Sequence, residues 1–221
     1  DLNWVSVYWI FALVAIVMVI VVFFFKLPKV ELKEDEKVGS FDTIKELLKN
    51  KYVVLFFFGI FAYVGTEQGV ASWISQFLSD YHGMNPEVEG AKAISTFWLL
   101  LTLGCFLGLG LLKLMDSKLV LKIFSLAAMI SLATALLTGS GMIAYYGFVG
   151  VGFFASVMWS VVFSLALNSL KDHHGAFSGI LCSGIIGGAI VPLIVGVLGD
   201  AIGLRGGMMF VFIPLAFIFS I

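Results

Sequence analysis

The sequence predicts an all-α integral membrane protein, a bundle of six full transmembrane helices followed by a truncated seventh. Of its 221 residues, 61% are hydrophobic and 12% are charged, too few polar residues to cover a water-exposed surface. The apolar residues also fall into runs long enough to cross a hydrocarbon core of about 30 Å, which takes about 20 helical residues. The six full runs are residues 3–25, 52–78, 93–115, 119–138, 142–167 and 176–198.

The two ends of the chain suggest that it belongs to something longer. The first run lacks a basic leading region and a small-residue cleavage site, so it is interpreted as a spanning helix rather than a signal peptide. The seventh run, residues 207–221, would reach only about 22 Å as a helix. Because the chain opens at Asp1 without a methionine and closes inside that run at Ile221, we expect a fragment.

The basic residues predict the orientation in the membrane. Eleven of the thirteen lie in or beside the segments after the first, third and fifth runs, and only Lys92 and Arg205 lie in the alternate segments. Positive charge in short loops stays on the cytoplasmic side, which places Asp1 outside and the first linker inside. The net charge is −1 and the basic residues form no stripe, which argues against nucleic acid as a partner.

The linker, residues 26–51, is the longest polar tract and separates one span, residues 1–25, from the bundle at 52–221. Apolar residues recur in it at helical spacing, which predicts a short amphipathic helix along the cytoplasmic interface. These residues are Phe41, Ile44, Leu47 and Leu48.

Residues for enzymatic or metal chemistry are not found in the sequence. Cys105 and Cys182 lie inside apolar runs, where they are interpreted as reduced packing residues. His82, His173 and His174 lie in loops without carboxylates or cysteines at ligand spacing. We therefore expect no metal, no cofactor and no enzymatic activity.

Glu67 is the one acidic residue deep inside an apolar run. An ionised carboxylate at mid-depth costs at least 2 to 3 kcal/mol, so Glu67 must be neutral, paired or facing water. Two hypotheses follow, a functional carboxylate in a polar cavity and a structural one bonded to a neighbouring helix. Tyr63 shares the helix face of Glu67.

A second polar stripe on the same helix contains Gln68 and Ser72. The two stripes line one cavity if the helix unwinds near Gly65 and Gly69, as helices of transporters do. We therefore predict a break at these glycines.

The fifth run has small polar residues every four positions. They favour either close helix packing or a hydroxyl-lined polar pathway. Trp159 in this run and Trp98 in the third are hypothesised to offer aromatic faces to a sugar ring, the alternative being core or lipid-facing positions. The small residues are Gly152, Ser156, Ser160, Ser164 and Asn168.

The sixth run is rich in glycine, including Gly187 and Gly188, and contains Pro192. Small residues at this spacing indicate tight packing, and the proline is expected to weaken the helix halfway along. A gating helix and plain packing remain the two interpretations.

Three stretches of the chain resemble sugar:proton symporters of the major facilitator superfamily, specifically the fucose permease-type family. They are YVGTEQGVAS at 63–72, WSVVFSLALN at 159–168 and SGILCSGIIGGAIVP at 178–192, followed by Gly199-Asp200. The resemblance covers essentially the whole chain and implies that its spans are the sixth to twelfth of such a protein. Residues 1–25 then form the last helix of the N-terminal half, and residues 52–221 form the C-terminal bundle with its last helix incomplete.

The resemblance implies transport of a monosaccharide such as fucose, glucose or galactose across a bacterial inner membrane. Alternating access between this half and a missing N-terminal half is expected, with a proton, or else sodium, as coupling ion and no cofactor. Because the family places its coupling carboxylates largely in the N-terminal half, Glu67 is interpreted as a ligand-binding or gating residue. The implied binding residues are Tyr63, Glu67, Gln68, Ser72, Trp98, Trp159, Ser160 and Asn168, and the implied gating residues are Gly65, Gly69, Gly187, Gly188 and Pro192.

The sequence departs from the family at Gly104-Cys105-Phe106, where many members have Gly-Arg-Phe. The alternatives to a sugar transporter are a transporter of another solute, a seven-helix receptor and a membrane-embedded enzyme. No lysine lies in the seventh run for a retinal Schiff base, and the longest cytoplasmic loop follows the first span, which argues against the receptor.

Overall fold

The computed structural model of the chain describes residues 5–24 and 41–221. The chain divides into two units, Asp1–Lys33 and Glu34–Ile221. The described part of the first unit is a single helix, α1 (Val5–Phe24), which has no charged residue. Residues 26–40 of the predicted linker lie outside the described residues.

The second unit is a bundle of helices. Every regular element of residues 5–24 and 41–221 is helical, which confirms the predicted fold class. Besides one π-helical turn (Pro86–Gly90) and one 3₁₀ turn (Gly184–Ile186), the unit contains α2 (Phe41–Leu47), α3 (Lys51–Ala71), α4 (Ile74–His82), α5 (Ala91–Leu114), α6 (Ser117–Leu137), α7 (Gly141–Ala155), α8 (Met158–Asn168), α9 (His174–Ser183), α10 (Gly187–Ile202), α11 (Leu204–Met209) and α12 (Phe212–Ser220).

Six helical stretches of the described residues are long and apolar enough to cross a membrane. The seventh apolar stretch, Leu204–Ser220, is shorter than these, as the sequence predicted. The six are Val5–Phe24, Lys51–Ala71, Pro86–Leu114, Ser117–Leu137, Gly141–Asn168 and His174–Ile202.

Capping residues fix where some of these helices begin or end. The side chain of Asn50 accepts a hydrogen bond from the Tyr52 amide at 2.9 Å, and Asp116 caps α6 by accepting from Lys118 N at 2.9 Å. The first amides of a helix lack partners within it, so such caps stabilise the start. At the other end of α4, Gly83 adopts a left-handed conformation, φ 65°, which a residue with a Cβ rarely adopts.

The most buried span is α3, in which 61% of the apolar window is buried. It packs against α8, α9, α10 and α12. A polar residue in the middle of α3 is therefore surrounded by neighbouring helices.

The break predicted at Gly65 and Gly69 is wrong. The helix α3 continues through both residues to Ala71, and the interruption lies at Ser72–Trp73. A Cβ on Gly65 would lie 2.5 Å from Val191 Cγ2, and one on Gly69 would lie 2.9 Å from Val191 Cγ1. These glycines therefore allow α10 to approach α3 closely and do not unwind the helix.

The glycine-rich sixth span is interrupted earlier than the sequence suggested. Pro192 lies inside α10, and the departure from α-helical geometry is at Gly184–Ile186. A Cβ on Gly184 would lie 2.9 Å from Phe57 O of α3. The interruption thus lies at a close approach of this span to the backbone of α3, directly before the still closer approach at Gly187. The fifth span is interrupted as well, at Ser156–Val157 between α7 and α8.

Candidate functional site

Glu67 lies sixteen residues after the start of α3, about 24 Å along its axis. Tyr63, one turn earlier on the same face, donates its hydroxyl hydrogen bond to Glu67 Oε2. Gln68 Nε2 donates to Glu67 Oε1 at 3.2 Å. Both carboxylate oxygens thus have a donor, which offsets part of the cost of placing the carboxylate at mid-depth. Both donors are side chains that a bound hydroxyl group can replace.

An aromatic wall from α8 lies beside this carboxylate. The Trp159 ring packs edge-on against Tyr63, with ring centroids 5.9 Å apart and an angle of 61° between the planes. Phe163 stacks on Trp159, with ring centroids 6.0 Å apart and an angle of 17° between the planes. Tyr63 is 5% exposed and Trp159 is half-buried, so the tyrosine is fixed and the indole keeps an accessible edge.

Cys105 on α5 lies at the contact with the fifth span. Its thiol donates to Ser156 O at 3.4 Å. Cys105, Ser156 and Ser160 also line a cavity of about 160 Å³. Ser156 is 3% exposed, and its hydroxyl has no partner among the described residues. From the sequence, Cys105 was interpreted as a packing residue, and Gly104-Cys105-Phe106 was noted only as a departure from the family.

Gly188, one of the predicted gating residues, packs against a side chain of this site. A Cβ at this position would lie 2.8 Å from Val64 Cγ1 and 3.1 Å from Gln68 Cγ. The absence of a side chain therefore allows α10 to pack directly on the stem of Gln68.

The side chains of three predicted binding residues form no hydrogen bond or ring contact with the carboxylate cluster in the part of the chain that the structure describes. Ser72 is exposed at the end of α3. Trp98 is 37% exposed on α5 and pairs with Phe97 at 5.5 Å. Asn168 is exposed at the end of α8, nine residues and about 13 Å beyond Trp159. The cluster consists of Tyr63, Glu67, Gln68 and Trp159, with Ser160 nearby on α8.

No group of three or more metal-ligating side chains is present within residues 5–24 and 41–221. The arrangement is a carboxylate, a phenol, an amide and an indole at mid-span. These are groups that bind a neutral polyhydroxy compound through hydrogen bonds and ring contacts.

Comparison with known proteins identifies the family. The family profile described as Major Facilitator Superfamily matches residues 1–184. The chain belongs to the major facilitator superfamily. This membership agrees with the expectation that it is an integral membrane protein and not an enzyme, and it does not favour the seven-helix receptor.

Curated relatives match over almost the whole chain. A glucose/galactose transporter of Brucella abortus biovar 1 (strain 9-941) is 37% identical over 213 residues, 96% of this chain and 51% of the relative. A putative glucose/galactose transporter of Helicobacter pylori (strain J99) is 33% identical over 190 residues, 86% of this chain and 45% of the relative. The chain therefore spans about half the length of the curated relatives that it matches.

Solved structures show the same fold. The E. coli fucose:proton symporter FucP aligns with a TM-score of 0.81 and 22% identity, over 96% of this chain and 53% of that chain. A structure of FucP in the outward conformation gives the same TM-score and identity over 96% of this chain and 52% of that chain. The helical bundle expected from the sequence resemblance is confirmed.

Proposed function

We propose that the full-length protein containing this chain is a secondary active transporter for a monosaccharide of the glucose and galactose class. The observation that carries the proposal is the Glu67 carboxylate at mid-span, bonded to Tyr63 and Gln68 beside the Trp159 indole. The names of the Brucella and Helicobacter relatives support this substrate class.

Each side chain of the cluster has a role in binding the sugar. Glu67 accepts hydrogen bonds from sugar hydroxyls, and charge-assisted bonds of this kind are the stronger ones. The Tyr63 hydroxyl and the Gln68 amide supply donors and acceptors around the same ring. Trp159 packs against the apolar C–H face of the sugar. The other proposed binding residues come close to the sugar when the N-terminal half closes on this half. They are Ser72, Trp98, Ser160 and Asn168.

Alternating access is helped by helices that bend, and several helical stretches of the bundle are interrupted. Three of the interruptions lie at Ser72–Trp73, Ser156–Val157 and Gly184–Ile186, and another lies at residues 210–211 between α11 and α12. Freed backbone groups at such points let a helix bend without breaking a long hydrogen-bond ladder. We propose that bending at these points, together with sliding along the contacts of Gly65, Gly69, Gly187, Gly188 and Pro192, opens the site to each side in turn.

We propose proton symport, with Glu67 as a sugar ligand and the coupling carboxylates in the half that this chain lacks. The distribution of lysine supports an orientation with Asp1 outside and residues 26–51 in the cytoplasm. The relatives are bacterial, which supports the bacterial inner membrane as the location.

The test is uptake of labelled glucose, galactose and fucose by cells that express the full-length protein. Replacing Glu67 with Gln removes the charge and keeps the shape, so uptake should fall about 10- to 150-fold, the effect of losing a hydrogen bond to a charged group. Glu87→Gln is the matched control, because Glu87 lies in the exposed turn before α5. Wild-type accumulation by Glu67→Gln at normal expression would remove Glu67 from the site.

The coupling ion is tested in the same cells. Uptake that rises as the external pH falls, and does not depend on sodium, supports proton symport. Uptake that requires sodium at constant pH contradicts it.

A further inference from the structure

A second polar cavity of about 420 Å³ lies between α4 and the junction of α10 with α11. Its volume is within the range of small-molecule pockets, about 300 to 1,000 Å³. The side chains that line it are mainly polar or aromatic, and the ones used below are Trp73, Gln76, Asp80, Tyr81 and Asp200.

The indole of Trp73 is fixed as one wall of this cavity. Its Nε1 donates a hydrogen bond to Pro192 O at 3.1 Å, across the gap between α4 and α10. A Cβ on Gly196 would lie 2.9 Å from Trp73 Cζ2. The glycine therefore makes room for the ring, and the hydrogen bond sets its orientation.

The phenol of Tyr81 is fixed by Arg205, the chain's only arginine. The Tyr81 hydroxyl accepts from Arg205 N at 3.1 Å, and the Arg205 guanidinium lies 4.7 Å above the Tyr81 ring. Gln76 Nε2 donates to Asp80 Oδ1 at 2.6 Å, which leaves other polar positions of both side chains available. The Asp200 carboxylate has no hydrogen bond in the described part of the chain and is exposed.

This combination of groups suits a sugar better than a metal ion. A fixed aromatic ring offers an apolar face, and the amide and carboxylates offer planar acceptors and a donor for hydroxyl groups. A metal site would need a third acidic, histidine or cysteine ligand, and none is grouped with the two aspartates in residues 5–24 and 41–221.

The position of the cavity relates it to the transport site. Trp73 lies six residues after Glu67, about 9 Å further along the direction of α3 and α4. Asp80 lies thirteen residues after Glu67, about 20 Å further along. In the proposed orientation this direction leads to the outer face. We propose that the cavity is a second, weaker monosaccharide site, an outer subsite that binds the sugar before it moves to Glu67. This inference rests on the proposed function.

The experiment measures initial rates of sugar uptake by the full-length transporter over a range of external concentrations. Asp200→Asn removes one charged acceptor. Gly199→Leu fills the cavity, and its Cβ has ordinary contacts, the nearest being Leu204 Cδ1 at 3.4 Å. Asp172→Asn is the control, because this exposed aspartate lies between α8 and α9, away from the cavity.

Both cavity variants should raise the KM for external sugar about three- to tenfold, the effect of one or two lost hydrogen bonds, with Vmax within about twofold of wild type. Counterflow at saturating sugar should be unchanged. An unchanged KM in both variants overturns the outer subsite, as does a loss of Vmax at constant KM. A changed affinity for the coupling ion with constant sugar KM also overturns it. If the wild type transports no sugar, the proposed function fails as well, so the two failures are distinguishable.

Discussion

Replacing Gly187 with Ala should push α3 and α10 apart. A Cβ at this position would overlap the backbone of Phe61, lying against its carbonyl oxygen, 2.8 Å from its carbonyl carbon and 3.0 Å from its Cα. Carbon atoms in contact lie about 3.5 to 4.0 Å apart, so the two backbones must separate by about 1 Å. A backbone cannot yield as a flexible side chain does, and overpacking of this kind costs about 1 to 3 kcal/mol.

The free energy of unfolding of the full-length protein in detergent, measured with a denaturant titration, checks this prediction. Gly179→Ala is the matched control, because a Cβ at Gly179 meets nothing within 4 Å. Alanine has the better helix propensity, by about 1 kcal/mol in water, so Gly179→Ala should be neutral or stabilising. Equal free energies of unfolding for Gly187→Ala and Gly179→Ala would contradict the predicted clash with Phe61.

Three further predictions concern groups outside the carboxylate cluster. Trp73→Phe loses the hydrogen bond to Pro192 O and should lower the free energy of unfolding by about 1 kcal/mol, measured in the same titration. Thr66→Val replaces a fully buried hydroxyl that has no partner among the described residues, so it should be neutral or stabilising, and a loss above about 1 kcal/mol would contradict this. Burial and the nearby Arg205 guanidinium lower the pKa of His82 in the folded protein. As the pH falls, His82 therefore binds a proton in the unfolded chain before it does so in the folded one. Stability should therefore decrease as the pH falls below about 6.5, and His82→Gln should remove that part of the dependence, as thermal unfolding at several pH values would show.

The spans were predictable because the bilayer constrains them strongly. A run of about 20 apolar residues crosses a bilayer as a helix, because a helix satisfies its own backbone hydrogen bonds in lipid. The capping residues Asn50 and Asp116 then fix where two of these helices begin. The predicted run 119–138 and the observed helix α6, Ser117–Leu137, differ by two residues or fewer at each end.

The interruptions were not predictable from the positions of glycine alone. Gly65 and Gly69 look like helix breakers in the sequence, yet each faces Val191 of α10 and serves close approach. Whether a glycine relaxes a helix or admits a neighbour depends on the neighbour, which lies more than 120 residues away in the chain.

The carboxylate cluster was partly predictable. Tyr63 and Glu67 are one turn apart, so their contact follows from helical geometry. The approach of Trp159 to Tyr63 comes from another helix, α8, and requires the tertiary packing. The cavity proposed as the outer subsite also requires the tertiary packing, because Trp73 donates its hydrogen bond to Pro192 O, 119 positions away in the chain.

A structure of the full-length protein with bound galactose tests directly whether Glu67 binds the sugar. We expect a sugar oxygen within about 2.5 to 3.2 Å of a Glu67 carboxylate oxygen, with the Trp159 indole against the sugar ring. A sugar bound elsewhere, with Glu67 still paired to Tyr63 and shielded from the ligand, would contradict it.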